Sequence, residues 1–178
     1  KRNGKGKYTY VTGDIYEGEF KENKKHGIGK LIYQKEQKPL GEYYGQWENG
    51  KRHGEGMFTY PNKDKYSGWW KYGKKHGTGT YVFSETNMRL VGEWSEGNLQ
   101  HGKWIFPNGV EFDGDFKNNK PNGDGTWKFK NGNTLSGSYT QHQTDPTDED
   151  IENAPEGEDP KPRIKCEWNS STNLGSSA

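Results

Sequence analysis

Glycine recurs in this chain at a fixed place in a short pattern, and nothing else in the sequence constrains the fold as strongly. A five-residue unit, aromatic-x-Gly-x-aromatic, occurs as Tyr16-x-Gly18-x-Phe20, Tyr43-x-Gly45-x-Trp47, Tyr66-x-Gly68-x-Trp70 and Phe112-x-Gly114-x-Phe116. Leucine takes the first position in Leu90-x-Gly92-x-Trp94 and Leu135-x-Gly137-x-Tyr139. Successive central glycines lie 22 to 27 residues apart. Between the copies stands a second unit, His-Gly-x-Gly, beginning at His26, His53 and His76. His101-Gly102 keeps its first half, and Asn122-Gly123-Asp124-Gly125 replaces the histidine. Asn3-Gly4-Lys5-Gly6 opens the chain in mid-repeat, which predicts at least one further strand upstream.

Both units alternate with period two, as strands do. Residues 66, 68 and 70 share one face, as do 54, 56, 58 and 60, while the intervening positions are mostly polar. Turn chemistry separates them, as in Asn49-Gly50, Pro107-Asn108-Gly109 and Asn131-Gly132-Asn133. Glycine weakens a strand unless something must approach its backbone closely. Here a ring from a neighbouring strand is expected to lie over each glycine. The expected fold is therefore all-β: an elongated, single-layer, twisted array of tandem antiparallel hairpins, open rather than closed into a barrel. One hairpin is marginal alone, so each repeat depends on its neighbours.

Composition agrees with a stack of rings better than with an ordinary core. Only 26% of residues are hydrophobic and the mean hydropathy is -1.37, yet 14% are aromatic. The net charge of +1 hides an asymmetry: residues 1–140 are basic, and residues 141–160 contain eight acidic side chains and no Lys or Arg. We expect an array over 1–140 and an acidic, largely irregular tail over 141–178. Within the tail, Ile164, Cys166 and Trp168 alternate, which fits either an unstructured stretch with a stray Trp or a short docking strand near 163–168 directed at its own sheet or at another subunit. Cys166 is the only cysteine, so no intrachain disulfide forms. No apolar run approaches the length needed to span a bilayer as a helix.

The repeated residues argue against catalysis. His26, His53, His76 and His101 occupy what reads as one repeat position, whereas catalysis needs a unique constellation. Adjacent copies two strands apart would lie roughly 9–10 Å from each other, too far to share a zinc ion. The glycine-lysine stretches lack the spacing and the helix of a phosphate-binding loop. No cofactor, no metal and no nucleic-acid partner is expected. Lys24-Lys25, Lys51-Arg52 and Lys74-Lys75 predict a basic row along one sheet edge, suited to edge protection, to an anionic phospholipid surface or to an acidic partner segment. The aromatic face is the expected partner-binding surface, with candidates Tyr43, Trp47, Phe58, Tyr66, Trp70, Tyr81, Trp94, Trp104 and Trp127.

The pattern Tyr-x-Gly-x-Trp followed about ten residues later by His-Gly-x-Gly resembles the MORN repeat (membrane occupation and recognition nexus), over about residues 3–139. The resemblance implies a curved trough of β-hairpins used as a scaffold, with Gly18, Gly45, Gly68, Gly92, Gly114, Gly137 and the four histidines defining the repeat. Within the family, the segment from Tyr81 to Trp94 and the acidic stretch leading to Trp168 resemble members found in the radial spoke head of motile cilia. That likeness implies a large multiprotein complex of spoke-head or other axonemal proteins, and a cytoplasmic, cytoskeletal location in the ciliary axoneme.

Overall fold

A computed structural model describes residues 1–35, 38–147 and 162–171. The chain forms one sheet of 13 strands whose spatial order is the chain order, every neighbouring pair antiparallel. The first half contains β1 (Gly4–Thr9), β2 (Ile15–Lys21), β3 (Lys24–Lys35), β4 (Lys38–Glu48), β5 (Lys51–Thr59) and β6 (Lys65–Lys71). The second contains β7 (Lys74–Val82), β8 (Arg89–Ser95), β9 (Asn98–Ile105), β10 (Glu111–Lys117), β11 (Lys120–Lys128), β12 (Thr134–Thr144) and β13 (Arg163–Ser170). β1 and β13 are the two edges, so the sheet is open as the sequence predicts. No helix occurs among the described residues.

The register places one glycine from each of β1 to β12 in a single line. Gly6, Gly18, Gly29, Gly45, Gly56 and Gly68 pair in succession. The line continues through Gly79, Gly92, Gly102, Gly114 and Gly125 to Gly137. A Cβ added at Gly68 would sit 2.5 Å from the Gly79 Cα and 2.6 Å from the Thr78 carbonyl oxygen. A Cβ at Gly79 would sit 2.3 Å from the Tyr66 hydroxyl. The first aromatic of each full repeat thus lies over two glycines, one on its own strand and one on the next. Tyr16, Tyr43 and Phe112 do the same over their own glycine pairs.

Close approach to the backbone lets a single layer bury its rings. Tyr16, Tyr43, Tyr66 and Phe112 are fully buried, and Trp47, Trp70 and Trp94 nearly so. They meet edge to face in a ladder from Phe20 and Tyr16 through Trp47, Tyr43, Trp70 and Tyr66 to Trp94, with centroids 5.0 to 5.5 Å apart. This geometry suits the ring quadrupole. The polar handles are satisfied too. The Trp47, Trp70 and Trp94 indoles donate to the Gly29, Gly56 and Gly79 carbonyls at 3.0, 3.1 and 3.0 Å.

The His-Gly step has a conformational origin. Gly18 pairs with Gly29 but Glu19 pairs with His26, so Gly27 and Ile28 bulge out of the β2–β3 ladder. Gly27, Gly54 and Gly77 take φ of 56°, 63° and 58°, the left-handed region that favours glycine. The tyrosine hydroxyl serves the residue facing the bulge: Tyr16, Tyr43 and Tyr66 donate to the carbonyls of Glu19, Gln46 and Trp69 at 2.9, 2.9 and 3.1 Å. Two-residue turns with both φ between 49° and 91°, such as Asn49-Gly50 and Tyr72-Gly73, close the bulged hairpins and match the type I′ requirement.

The structure redraws the tail. β12 continues to Thr144, past the expected end of the array at residue 140, and β13 pairs along it from Arg163–Thr144 to Ser170–Gly137. Of the acidic run of residues 145–159, residues 148–159 lie outside the described residues.

Candidate functional site

Two rows of side chains stand on the ring face. Six of the nine aromatics expected to receive a partner, Tyr43, Trp47, Phe58, Tyr66, Trp70 and Trp94, are 9% exposed or less and form the sheet's own core. Tyr81, Trp104 and Trp127 are half-buried and reach the surface of that core. Tyr81 belongs to a second row, in which Tyr33, Phe58, Tyr60, Tyr81 and Phe83 follow one another. A separate run joins Trp104, Phe106 and Trp127.

The paired lysines do not form one row. In each pair the first residue, Lys24, Lys51 or Lys74, is exposed, and Lys74 forms an ion pair with Glu96. The second residue lies on the ring face above the tryptophan of the following repeat: Lys25 over Trp47 at 4.9 Å, Arg52 over Trp70 at 4.3 Å and Lys75 over Trp94 at 4.4 Å. Strand alternation separates the two members of each pair. These are cation–π seats over the core. Burial pushes the Lys25 ammonium below the usual lysine range, against the pull of Asp14. Burial, reinforced by the Arg52 charge, pushes Lys75 down to about 8.

The histidines are not one set. His26, His53 and His76 are half-buried beside the bulge, with His53 Nδ1 3.4 Å from Glu48. His101 is different. Gly102 pairs with Gly92 and so stands where Gly29, Gly56 and Gly79 stand. His101 therefore takes the position of Ile28, Glu55 and Thr78, not that of the other histidines. It is exposed, with Nδ1 2.8 Å from Asp115 Oδ1. One residue is missing from this hairpin, and Leu99, opposite Trp94, stands where Lys25, Arg52 and Lys75 stand in the three preceding hairpins. Among the described residues, no group of three or more His, Cys, Asp or Glu side chains could hold a metal ion.

The two leucine-bearing repeats are completed differently. At Leu135, the Trp168 ring of β13 covers Gly137, its Cζ2 2.6 Å from where a Cβ would be. Trp168 also packs at 5.0 Å from Tyr139 and 6.1 Å from Phe112. At Leu90, the three atoms nearest to a Cβ at Gly92, and likewise at Gly102, are all backbone, with no ring among them. The ring ladder breaks between Trp94 and Phe112. A cavity of about 580 Å³ opens there, walled by Leu90, Trp94, Phe83, Met88, Trp104 and Phe116. Lys75 and Tyr81 line one side; the Asn118-Asn119 turn lines another.

Burial of the phenols predicts an alkaline transition. Burial pushes the Tyr16 hydroxyl up to about 12 and raises those of Tyr43, Tyr66 and Tyr81, the last with help from its hydrogen bond to Asp64. The unfolded chain ionises its tyrosines near about pH 10. Stability from these groups is complete below that value and lost as pH rises through the folded-state range, because only the unfolded state releases their protons. In a variant with the exposed Tyr8, Tyr44 and Tyr72 changed to Phe, the remaining tyrosinate absorbance and the circular dichroism should change together above about pH 10. Ionisation of the buried phenols with the sheet intact would contradict the buried ladder.

A family model for the MORN repeat matches residues 1–15, 16–36, 43–65, 66–88 and 112–134. A comparison with curated proteins finds no match. The unmatched stretches at 89–111 and after 134 contain the two leucine-bearing repeats, where the ladder is interrupted or completed by β13. Matches over more than half of the chain coincide with the bulge, glycine line and ring ladder that recur in the sheet, and the chain belongs to the MORN-repeat family.

Proposed function

We propose that this protein is a non-catalytic scaffold that holds partner proteins on its ring face, as a component of the radial spoke head in the ciliary axoneme. The observation that carries the scaffold reading is the use of the same residues for the same structural task in successive repeats. The hydroxyls, indoles and most bulge glycines are engaged in building the sheet, which leaves half-buried aromatics beside an open cavity as the distinctive surface. Partly exposed aromatic side chains beside a concavity suit protein contacts. The spoke-head assignment is supported by the likeness of the Tyr81–Trp94 region and of the acidic stretch before Trp168. A membrane adaptor is the alternative. Its basis is weakened because Lys25, Arg52 and Lys75 sit over rings, which leaves the exposed Lys24 and Lys51 and the ion-paired Lys74.

The test is co-purification of axonemal proteins with the wild-type chain and with Trp104→Ala and Trp127→Ala, beside melting temperatures. Folded variants should lose partners. Vesicles containing phosphatidylserine should retain little protein at about 0.15 M salt, where exposed charges are screened beyond about 8 Å. Tight vesicle binding with no axonemal partner retained would favour the adaptor.

A further inference from the structure

The interrupted repeat at Leu90 differs from the one at Leu135 in a way that identifies a binding site. At Leu135 the missing ring is supplied by a later segment of the same chain: β13 pairs beside β12 and lays Trp168 over Gly137. At Leu90 the atoms nearest to Gly92 and Gly102 are backbone rather than ring, and the ladder ends at Trp94 in a cavity of about 580 Å³, within the range of ligand pockets. Its walls are apolar, but one side is not. Lys75 lines the cavity with its ammonium over three rings, 4.4, 5.2 and 5.5 Å from the centroids of Trp94, Tyr81 and Tyr66. Its counterparts are compensated: Asp14 attracts Lys25, and Arg52 Nη2 donates to the Gly73 carbonyl at 2.7 Å. Lys75 has no carboxylate partner among the described residues, and its charged neighbour is Arg52. The Trp104 indole N–H in the same wall is buried without an acceptor among the described residues, as is that of Trp168 at the completed repeat, whereas those of Trp47, Trp70 and Trp94 have one.

A desolvated cation among apolar walls asks for an anion that arrives with apolar surface. A bare anion would leave the walls wet, and a neutral apolar group would leave the ammonium buried and unpaired. We propose that this cavity binds a segment of a partner protein that inserts an aromatic or aliphatic side chain beside Leu90 and sets a neighbouring carboxylate against Lys75. The occupant is peptide rather than lipid for two reasons. Trp168 shows that a peptide segment completes a leucine-bearing repeat of this sheet. The rim offers the Asn118 amide to a backbone, while the Asn119 amide is taken by the Leu99 N–H and Asn98 Oδ1, and Lys120 donates to the Ile164 carbonyl at 2.8 Å. The inference rests on the scaffold reading and names the chemistry of its partner.

The probe is a displayed random-peptide library selected against the full chain, followed by synthesis of the best binder and anisotropy titration. Enriched peptides should carry Asp or Glu within a residue or two of an aromatic or aliphatic residue. Lys75→Met, which keeps an unbranched apolar stem, should weaken the binder by about tenfold or more, as expected for losing a charge-assisted contact. Replacing the peptide's acid by its amide should do the same. Met88→Glu, on the loop before β8 and outside the glycine line, should also abolish binding by offering Lys75 a carboxylate of its own. Melting temperatures close to wild type confirm that both variants fold. The proposal is overturned if no acidic-apolar motif is enriched or if Lys75→Met binds the peptide as wild type does. It is equally overturned if decanoate, or a synthetic peptide of residues 145–159, occupies the site in a Lys75-dependent way and the selected peptide does not. Selection needs no axonemal partner, so its failure would leave the co-purification result standing by itself.

Discussion

Replacing Gly68 by valine should destabilise the protein by about 3 kcal/mol or more, at the upper end of overpacking effects. The reason is specific to the glycine line. The first atoms a Cβ meets are the Gly79 Cα at 2.5 Å and the Thr78 carbonyl oxygen at 2.6 Å, both backbone, and the Tyr66 hydroxyl follows at 2.9 Å. No rotamer change relieves a clash with a paired strand, so β6 and β7 must separate. Separation would lift Tyr66 from Gly68 and Gly79 and loosen its contacts with Trp70 and Trp94. Lys65→Ala, an exposed change on the same strand, should stay within roughly ±0.5 kcal/mol. Denaturant unfolding of both variants measures the difference, and equal midpoints would refute close backbone approach as the role of the glycines.

Trp70→Ala should cost about 3–5 kcal/mol, as truncation of a buried aromatic does. The indole is 3% exposed, donates to the Gly56 carbonyl, packs between Tyr43 and Tyr66 and seats Arg52 at 4.3 Å. Removing it leaves a cavity, an orphaned interaction at Gly56 and a cation without its ring. The adjacent Trp69→Ala is the control. Trp69 is 48% exposed on the opposite face, and its loss should fall near the range of other surface substitutions. Thermal or denaturant unfolding should separate the two tryptophans widely. Any loss of partners by Trp70→Ala then reports folding, and the binding surface is read at Trp104 and Trp127. Similar stabilities for the two variants would mean that Trp70 does not hold the ladder.

Period two in the sequence explains why Trp69 and Trp70 differ: alternation puts adjacent residues on opposite faces whatever the tertiary structure. The same rule separates Lys24 from Lys25 and Lys74 from Lys75. Reading each pair as a single basic row overlooked it. The misplacement of His101 has another origin. His-Gly matches the repeat in letters, but one residue is missing before it, and only the pairing of Gly102 with Gly92 reveals which glycine of the motif survives.

The sequence by itself determined the all-β fold, the repeat unit, the ring-bearing face and the need for glycine where rings meet backbone. All of these follow from local spacing, because strand alternation and turn geometry act within a few residues. Tertiary structure alone decided that glycines from 12 strands fall in one line, since that depends on the bulge at each His-Gly setting the register of the next strand. It also decided which aromatics are core and which are surface, because burial in a single layer comes from neighbouring repeats. Finally, it brought Trp168 to Gly137 and left Leu90 beside a cavity holding Lys75. The two leucine substitutions look alike in the sequence, and what distinguishes them is whether a distant strand lies next to each.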